Sequence, residues 1–316
     1  MKSINWGILG AGNVANQFAK EFILQKSPAK LCGVASRSIE KSKSFAEKYS
    51  IEKYYDNYDS ILEDKDIDIV YIAVPHNFHF EIIKKALNNN KHVLCEKPIT
   101  ISYDELLEVV EIAKEKNLYL VESMTIYHMP VIKEIKDWIE KNSLGKLKML
   151  QIAFGSYKEE DTGSYFFDPE LAGGALNDIG VYAISLARLF MTSSPEEILS
   201  LTNNHHSGVD ETTGIIMRNR EEEVSVISLT FRAKQPKVGI IAYEEGYFQI
   251  FDYPQATKIE YISKKGEKTV FNKGESKKRF AYTIEDVTNM IVNNEKNLTL
   301  ELTMDVRKIM DRCYKK

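Results

Sequence analysis

Short apolar, β-branched runs alternate with helix-period stretches over about the first 120 residues. In the helix-period stretches the apolar residues recur every three or four positions, as Phe78, Ile82, Ile83 and Ala86 do. This alternation is typical of a parallel Rossmann sheet with helices on both faces. The predicted strands are Ile4 to Leu9, Leu31 to Ser36, Ile69 to Val74, Val93 to Cys95 and Tyr119 to Glu122.

The pattern changes after Pro130. A helix from about Val131 to Glu140 is followed by a strand from Lys146 to Phe154 and a helix from Ala175 to Phe190. Longer strands then follow with turn signals and no helix between them, which predicts a mostly antiparallel sheet. These strands are Asp210 to Arg218, Val224 to Arg232, Gly239 to Tyr243, Tyr247 to Phe251 and Lys258 to Ser263.

At 316 residues the chain is longer than one hydrophobic core usually supports, so we expect two domains. We predict an α/β, dinucleotide-binding Rossmann domain over residues 1–122. An α+β domain for substrate binding and oligomerisation is expected over residues 123–316. The last two helices, near Tyr282 to Val292 and Thr303 to Tyr314, should pack back on the body.

Composition narrows the choice of partners and compartment. The formal net charge of -4 and the pI near 6.0 leave no basic excess, which argues against nucleic acid and anionic membranes as partners. No apolar run approaches the ~20 residues of a membrane span, and the N-terminus leads into a strand instead of a secretory segment. The three widely spaced cysteines are expected to be reduced. We therefore expect a cytoplasmic protein.

The first predicted strand runs directly into a glycine-rich turn with the pattern G-x-G-x-x-A. Gly10 permits the tight turn, Gly12 lets the backbone approach a pyrophosphate, and Ala15 keeps the helix close to the strand. Asn13 and Val14 begin the helix, whose free amides favour phosphate. Because the motif lies between a strand and a helix, it predicts a dinucleotide site.

The end of the second strand bears on the choice of cofactor. An Asp or Glu there would bind the ribose hydroxyls of NAD, but this chain has Ser36 and Arg37. A guanidinium beside hydroxyl groups can bind a 2′-phosphate through charge-assisted hydrogen bonds. This favours NADP, while a solvated Arg37 that allows NAD remains the alternative.

The strand that ends near Val74 brings a further group to the same edge of the sheet. Its candidate cofactor contacts are Ala73, Pro75, His76 and His79. Two histidines three residues apart could ligate zinc, but no further cluster completes a tetrahedral set around them. We expect no metal site.

A buried strand then delivers Glu96, Lys97 and Pro98. In an open α/β sheet, ligands bind outside the carboxyl ends of the strands, so Lys97 is expected to face the reacting end of the nucleotide, with Glu96 beside it. Pro98 ends the strand and makes a cis peptide bond accessible. The alternative is a surface lysine in a loop.

A glycine-rich segment from Gly173 to Tyr182 opens the second-domain helix. Asp178 and Tyr182 are four residues apart and share one helical face, away from the neighbouring apolar face. A carboxylate and a phenol together suit proton transfer, although an ordinary surface pair would show the same spacing.

With these motifs the chain resembles the Gfo/Idh/MocA oxidoreductases, the family of glucose-fructose oxidoreductase and inositol dehydrogenase, over nearly its full length. The likeness is greatest to the dimeric dihydrodiol dehydrogenases and NADP-dependent D-xylose dehydrogenases. The resemblance implies that Lys97 and Tyr182 are catalytic, that Asp178 supports them and that Arg37 binds the 2′-phosphate. It also implies at least a homodimer.

Departures from the dihydrodiol dehydrogenases bear on the substrate. Those enzymes resemble this chain around Glu122 but have tryptophan and arginine where Thr125 and Tyr127 stand here. An aromatic dihydrodiol is therefore doubtful, and a sugar or polyol suits the polar residues better. The resemblance also places Phe154 at the substrate pocket.

These inferences predict hydride transfer between nicotinamide and a carbonyl or hydroxyl carbon. Lys97 would stabilise the charge on the carbonyl oxygen and Tyr182 would donate the proton. Two alternatives remain open: a redox-silent dinucleotide-binding regulator, and a non-redox enzyme like the family's NAD-dependent glycosidases.

Overall fold

The computed structural model describes residues 3–160 and 165–314. By their internal contacts the residues divide into two compact units. The first unit comprises residues 1–123 and 277–301, and the second comprises residues 124–276 and 302–316. A segment near the C-terminus therefore completes the first unit.

A parallel sheet of six strands forms the centre of the first unit. Its strands are β1 (Ile4–Leu9), β2 (Ala29–Ala35), β3 (Lys53–Tyr55), β4 (Ile69–Ile72), β5 (His92–Cys95) and β6 (Leu120–Glu122). The order β3-β2-β1-β4-β5-β6 is that of a dinucleotide-binding Rossmann sheet. The five predicted strands are confirmed, whereas β3 was not predicted.

Five helices connect these strands. They are α1 (Asn13–Phe22), α2 (Ile39–Tyr49), α3 (Tyr58–Glu63), α4 (His79–Asn88) and α5 (Tyr103–Glu115). Three of them begin at a side chain that accepts a hydrogen bond from a backbone amide in the first turn: Ser38 for α2, Asn57 for α3 and Ser102 for α5. These caps satisfy amides that have no partner within the helix.

The second unit is built on an eight-stranded sheet. Its elements are α6 (Pro130–Lys141), β7 (Leu147–Gly155), α7 (Val181–Phe190), β8 (Glu197–Asn204), β9 (Asp210–Arg218), β10 (Val224–Thr230), β11 (Gln235–Tyr243), β12 (Gly246–Phe251), β13 (Lys258–Ser263) and β14 (Lys268–Asn272). The strand order is β14-β13-β12-β11-β7-β10-β9-β8. The sheet is mostly antiparallel, as predicted, but β7 and β10 pair in parallel.

The start of the second-domain helix differs from the prediction of one α-helix from Ala175. A π-helical turn covers Leu176–Gly180, and the Val181 amide donates to the Leu176 carbonyl across it. A Cβ on Gly180 would lie 2.8 Å from a terminal methyl group of both Leu176 and Leu229, so a larger residue here would require these two side chains to shift. The wider turn leads into α7, and such turns occur often at functional sites.

The last two helices are α8 (Arg279–Asn293) and α9 (Leu300–Tyr314). α8 packs on the first unit, where Phe280 makes edge contacts with Phe18 and Tyr71 at ring-centroid distances of 5.6 and 6.2 Å. The Trp6 indole also donates to the Thr288 hydroxyl at 3.3 Å. α8 therefore closes the aromatic core of the first unit.

None of the described helices is long and apolar enough to cross a membrane. Cys32, Cys95 and Cys313 are buried and free, as expected of reduced cysteines.

Candidate active site

The glycine-rich turn lies at the carboxyl end of β1. Gly10 has φ +108°, and a Cβ there would collide with the Ala73 carbonyl oxygen, so glycine is required. In contrast, a Cβ on the exposed Gly12 would meet nothing within 4 Å. α1 starts at Asn13 with no side-chain cap, and Val14 follows in its first turn. An open approach to a helix N-terminus fits a pyrophosphate group.

The end of β2 places Arg37 at a cavity of about 370 Å³. Ser36 is buried, and its hydroxyl donates to the Ser38 carbonyl at 2.7 Å, so it shapes the turn. Tyr58 also lines the cavity, and burial raises its pKa while Arg37 opposes the rise. Arg37 itself is exposed and available to a ligand.

Carboxylates line the same cavity, which sequence reasoning missed. They belong to Asp56, Asp59 and Glu81. Lys85 pairs with Asp59 at 2.8 Å, which leaves the charge of this cavity mixed. A 2′-phosphate would therefore depend strongly on Arg37.

The residues after β4 differ in exposure. Pro75 is exposed, His76 is half-buried and Ala73 is buried. His79 is fully buried, with its Nδ1 2.9 Å from the Pro98 carbonyl oxygen and its Nε2 3.0 Å from the Val74 carbonyl oxygen. Burial lowers the pKa of His79. Its ring therefore links two turns and does not present a nitrogen to the surface.

Lys97 follows β5 and is half-buried. The Lys97–Pro98 peptide bond is cis, the geometry that Pro98 made accessible. Two buried carboxylates accept hydrogen bonds close to this peptide bond. Glu96 accepts from the Tyr71 hydroxyl at 2.5 Å, and Glu122 accepts from the Ile99 amide at 3.0 Å. Burial raises the pKa of Glu96, an effect that the Tyr71 hydrogen bond opposes.

In the second unit, Asp178 and Tyr182 lie on the π turn and the first turn of α7, and both are half-buried. Lys158 Nζ lies 3.9 Å from Asp178 Oδ2 and 3.7 Å from the ring centroid of Phe166. Asp178 therefore faces a cation that an aromatic ring also holds. Sequence reasoning missed Lys158, since nothing in its own segment marks it.

The start of this helix is held by Asp210, at the beginning of β9. Asp210 Oδ2 accepts from the Leu176 amide at 2.7 Å and from the Thr213 hydroxyl at 3.2 Å. Gly174 has φ +108°, and a Cβ there would collide with Asp210 Oδ1. Burial raises the pKa of Asp210.

Of the predicted substrate residues, Phe154 lies beside the phenol. Its ring centroid is 6.4 Å from that of Tyr182, and Lys237 Nζ lies 4.9 Å from the Phe154 centroid. Thr125 and Tyr127 are buried in a 3₁₀ helix, and the Thr125 hydroxyl donates to the Pro254 carbonyl at 2.9 Å. Within the second unit, Phe154 therefore lies beside Tyr182, the candidate acid. The Thr125 hydroxyl instead makes a hydrogen bond within the protein.

Sequence comparison identifies the family. The model of the oxidoreductase family with an NAD-binding Rossmann fold (GFO_IDH_MocA) matches residues 4–123, and the model of the GFO/IDH/MocA C-terminal domain matches residues 132–251. The chain belongs to the Gfo/Idh/MocA family. Membership makes it an NAD(P)-binding oxidoreductase.

Curated members of the Gfo/Idh/MocA family resemble the chain over most of its length. The trans-1,2-dihydrobenzene-1,2-diol dehydrogenase of Xenopus tropicalis is 32% identical over 251 residues, which cover 78% of this chain and 74% of the relative. The enzyme of the same name from Danio rerio is 29% identical over 252 residues, again 78% and 74% of the two chains.

Solved structures share the fold at low identity. A 3-ketoreductase of Actinomadura kijaniata, solved with NADP and TDP-benzene, has a TM-score of 0.87 at 21% identity and covers 98% of this chain and 96% of its own. An NAD-binding oxidoreductase of Klebsiella pneumoniae has a TM-score of 0.89 at 16% identity, with 98% and 95% covered. At such identities the likeness establishes the fold alone.

Proposed function

We propose that this Gfo/Idh/MocA protein is a cytoplasmic, NADP-dependent oxidoreductase that transfers a hydride between nicotinamide and a carbonyl or hydroxyl carbon of a sugar or polyol. The half-buried Lys97 at the carboxyl end of β5 carries the proposal. Ligands of open α/β sheets bind at this edge, and the glycine turn there leaves room for a pyrophosphate. The free cysteines suit a reducing compartment.

In the proposed reduction, negative charge develops on the carbonyl oxygen of the substrate. A bound reduced nicotinamide would supply the hydride. The Lys97 ammonium stabilises the developing oxyanion, and the Tyr182 phenol donates the proton that completes the alcohol. Asp178, beside Lys158, orients the phenol. In the oxidative direction the phenolate form of Tyr182 takes the proton from the alcohol and becomes the phenol again.

The substrate class is proposed from the surroundings of Tyr182. The Phe154 ring offers an apolar face, while Asp178, Lys158 and Lys237 offer charged hydrogen-bonding groups. Sugars combine an apolar ring face with many hydroxyls, so this mixture supports them. Dihydrodiols, named for the curated relatives, serve as comparison substrates.

NADP is proposed over NAD because Arg37 stands where NAD enzymes carry an acid. The carboxylates that line the Arg37 cavity act against a 2′-phosphate, so the preference for NADP depends on how far the positive charges there offset them. Because Lys85 neutralises Asp59 at 2.8 Å, Arg37 remains able to bind a 2′-phosphate.

We propose a homodimer that buries the exposed face of the second sheet. Along β9 the buried Ile215 and Met217 alternate with the exposed Ile216 and Arg218. Leu201 on the neighbouring β8 is 86% exposed. Exposed apolar side chains of this size on one sheet face favour association of two copies. Sedimentation velocity tests this proposal, since Leu201→Lys is expected to shift the protein toward the monomer.

Turnover of aldoses, ketoses, polyols and dihydrodiols with NADP and NAD, followed at 340 nm in both directions, tests the function. Lys97→Met is expected to lower kcat by ~10²–10³-fold while NADP binding stays unchanged. The matched control is Lys116→Met, on the surface beyond α5. Tyr182→Phe should lower kcat similarly, and the double variant should lose less than the product of the two effects, because the residues act on one oxygen.

Three results would contradict the proposal. Full turnover by Lys97→Met would remove Lys97 from the reaction. NADP binding without turnover of any substrate would favour a regulator, and tightly retained NAD with net elimination of a glycoside would favour a glycosidase-type enzyme.

A further inference from the structure

Three metal-ligating side chains to which the oxidoreductase proposal gives no role converge in the second unit. Glu160 follows β7, and His205 and His206 lie in the turn between β8 and β9. Each offers one ligand atom, and these atoms all lie within 4.8 Å of one another. Sequence analysis predicted no metal site, because it considered only His76 and His79.

His205 is the central residue of this cluster. Its side chain is buried, with the residue 8% exposed, and its Nε2 makes no hydrogen bond within the described residues. Buried polar atoms are rarely left without a partner. The ring is also held in place, since it packs on Phe167 at a centroid distance of 4.4 Å and on His206 at 3.8 Å.

The distance from His205 to Glu160 is informative. Nε2 lies 3.8 Å from Glu160 Oε1, which is too long for a hydrogen bond. Tetrahedral zinc, with bonds of about 2.0–2.2 Å to nitrogen and oxygen, holds neighbouring ligand atoms roughly 3.3 Å apart. A small closure of the gap would therefore accommodate a zinc ion between the two atoms.

The tautomer of His205 depends on its two contacts with Ser207. Its hydroxyl oxygen lies 3.0 Å from His205 Nδ1. If Nδ1–H donates to this oxygen, the Nε2 lone pair faces Glu160, an arrangement common for metal-bound histidine. The Ser207 amide donates to Nδ1 at 3.3 Å, which favours the opposite tautomer with the proton on Nε2. Zinc binding therefore has to move that proton to Nδ1 and give up this hydrogen bond.

Arg232 opposes the site. Its Nη2 lies 2.7 Å from Glu160 Oε1, and its Nε lies 3.4 Å from Glu211 Oε2. A guanidinium this close lowers the affinity for a cation and shares the carboxylate with it. Arg232 therefore favours reversible binding over a permanent structural metal.

We propose that Glu160, His205 and His206 bind one Zn²⁺ ion reversibly. Imidazole and carboxylate ligands suit zinc better than magnesium or calcium, which prefer oxygen ligands alone. The three protein ligands leave a fourth position for water. Bound zinc ties the segment after β7 to the β8–β9 turn.

Zinc titration of the chelator-stripped full-length protein against a chromogenic indicator tests the site. The wild type is expected to bind one Zn²⁺ per chain. His205→Gln and Glu160→Gln should abolish binding at that stoichiometry, and the exposed His206→Gln should weaken it ~10–100-fold without disturbing the fold. Glu159→Gln, the neighbouring exposed carboxylate, is the matched control and should bind as the wild type does.

Two further variants separate this site from incidental binding by a histidine pair. Ser207→Ala should weaken zinc binding ~10-fold, because it removes the hydroxyl that accepts from Nδ1–H in the zinc-bound tautomer. Arg232→Gln should tighten binding about tenfold, because it removes a positive charge from the carboxylate. Absence of zinc binding by the wild type would overturn the proposal. Binding that His206→Gln does not weaken, or that Arg232→Gln leaves unchanged, would also overturn it. The measurement does not depend on turnover, so it stands apart from the test of the oxidoreductase.

Discussion

The cap that Asp210 places on the helix of Asp178 and Tyr182 can be tested by substitution. In Asp210→Ala the Leu176 amide loses its acceptor in a buried setting, at a cost of about 1–3 kcal/mol. Loss of the Thr213 hydrogen bond adds about 0.5–1.5 kcal/mol. We therefore expect the free energy of unfolding of the second unit to fall by about 2–4 kcal/mol at acidic pH.

The expected loss of unfolding free energy in Asp210→Ala is smaller at neutral pH. Burial raises the pKa of Asp210, so folding disfavours its charged form and the carboxylate costs stability as pH rises through its ordinary range and above. Asp210→Ala removes that cost together with the hydrogen bonds. Asp210→Asn keeps an oxygen acceptor without a charge, so it should match or exceed the wild type at neutral pH and lose this advantage as pH falls.

Urea unfolding at several pH values measures these differences, with Trp138 on α6 as the fluorescent reporter of the second unit. Asp137→Ala, an exposed carboxylate on α6, serves as the matched control. In Asp210→Ala the start of the helix that carries Asp178 and Tyr182 should fray, so we expect its kcat to fall. Asp210→Asn keeps the hydrogen-bond acceptor and should keep kcat. An Asp210→Ala variant that unfolds within about 0.5 kcal/mol of the wild type at acidic pH would refute the reasoning.

Three further predictions concern cofactor choice and the supports of the candidate site. Arg37→Ala should raise KM for NADP ~10–100-fold and leave KM for NAD unchanged, because it removes a charge-assisted hydrogen bond to the 2′-phosphate. Equal changes in the KM for NADP and for NAD in steady-state kinetics would contradict this contact. Lys158→Met should lower kcat about five- to tenfold, because Asp178 loses its ion-pair partner, whereas Lys158→Arg should stay close to the wild type. If the two variants have equal kcat, Lys158 does not position Asp178. Glu122→Ala should lower both the thermal stability and kcat, because the Ile99 amide loses its buried acceptor, whereas Glu122→Gln should keep both. Thermal melts and initial rates measure these effects. Equal behaviour of the two variants would count against the hydrogen bond between Glu122 and the Ile99 amide.

Strands with a buried face were predictable, including the edge strand β6, whose three residues are all buried, whereas three more exposed edge strands were not. β9 and β13 match their predicted ranges because apolar residues define them. β8 and β14 lie at the two edges of the second sheet, and β3 lies at an edge of the first. In β8 the side chains of Leu199 and Leu201 are exposed, and β14 starts at Lys268, at the end of a charged run. These three edge strands bury few side chains, so their pattern carries little signal.

The residues of the candidate site show a similar contrast between a clear local pattern and its absence. Gly10 and Lys97 were predictable because each stands in a local motif whose strand or helix context was also visible. Lys158, Glu122 and Asp210 could not be predicted as partners, because each reaches its contact across 20 or more residues through strand pairing or a loop. Such supports depend on the fold as a whole, and no local pattern of residue types marks them.

The return of α8 to the first unit matters for a chain that is made from its N-terminus. Phe18 and Tyr71, stacked at 3.8 Å, emerge early in synthesis, but the Phe280 ring that covers their edges comes some 200 residues later. The nucleotide-binding unit therefore begins first and is completed only after most of the second unit has been synthesised. A fragment that ends at Ser123 would expose this aromatic surface, so separate expression of the Rossmann unit needs α8 fused to it.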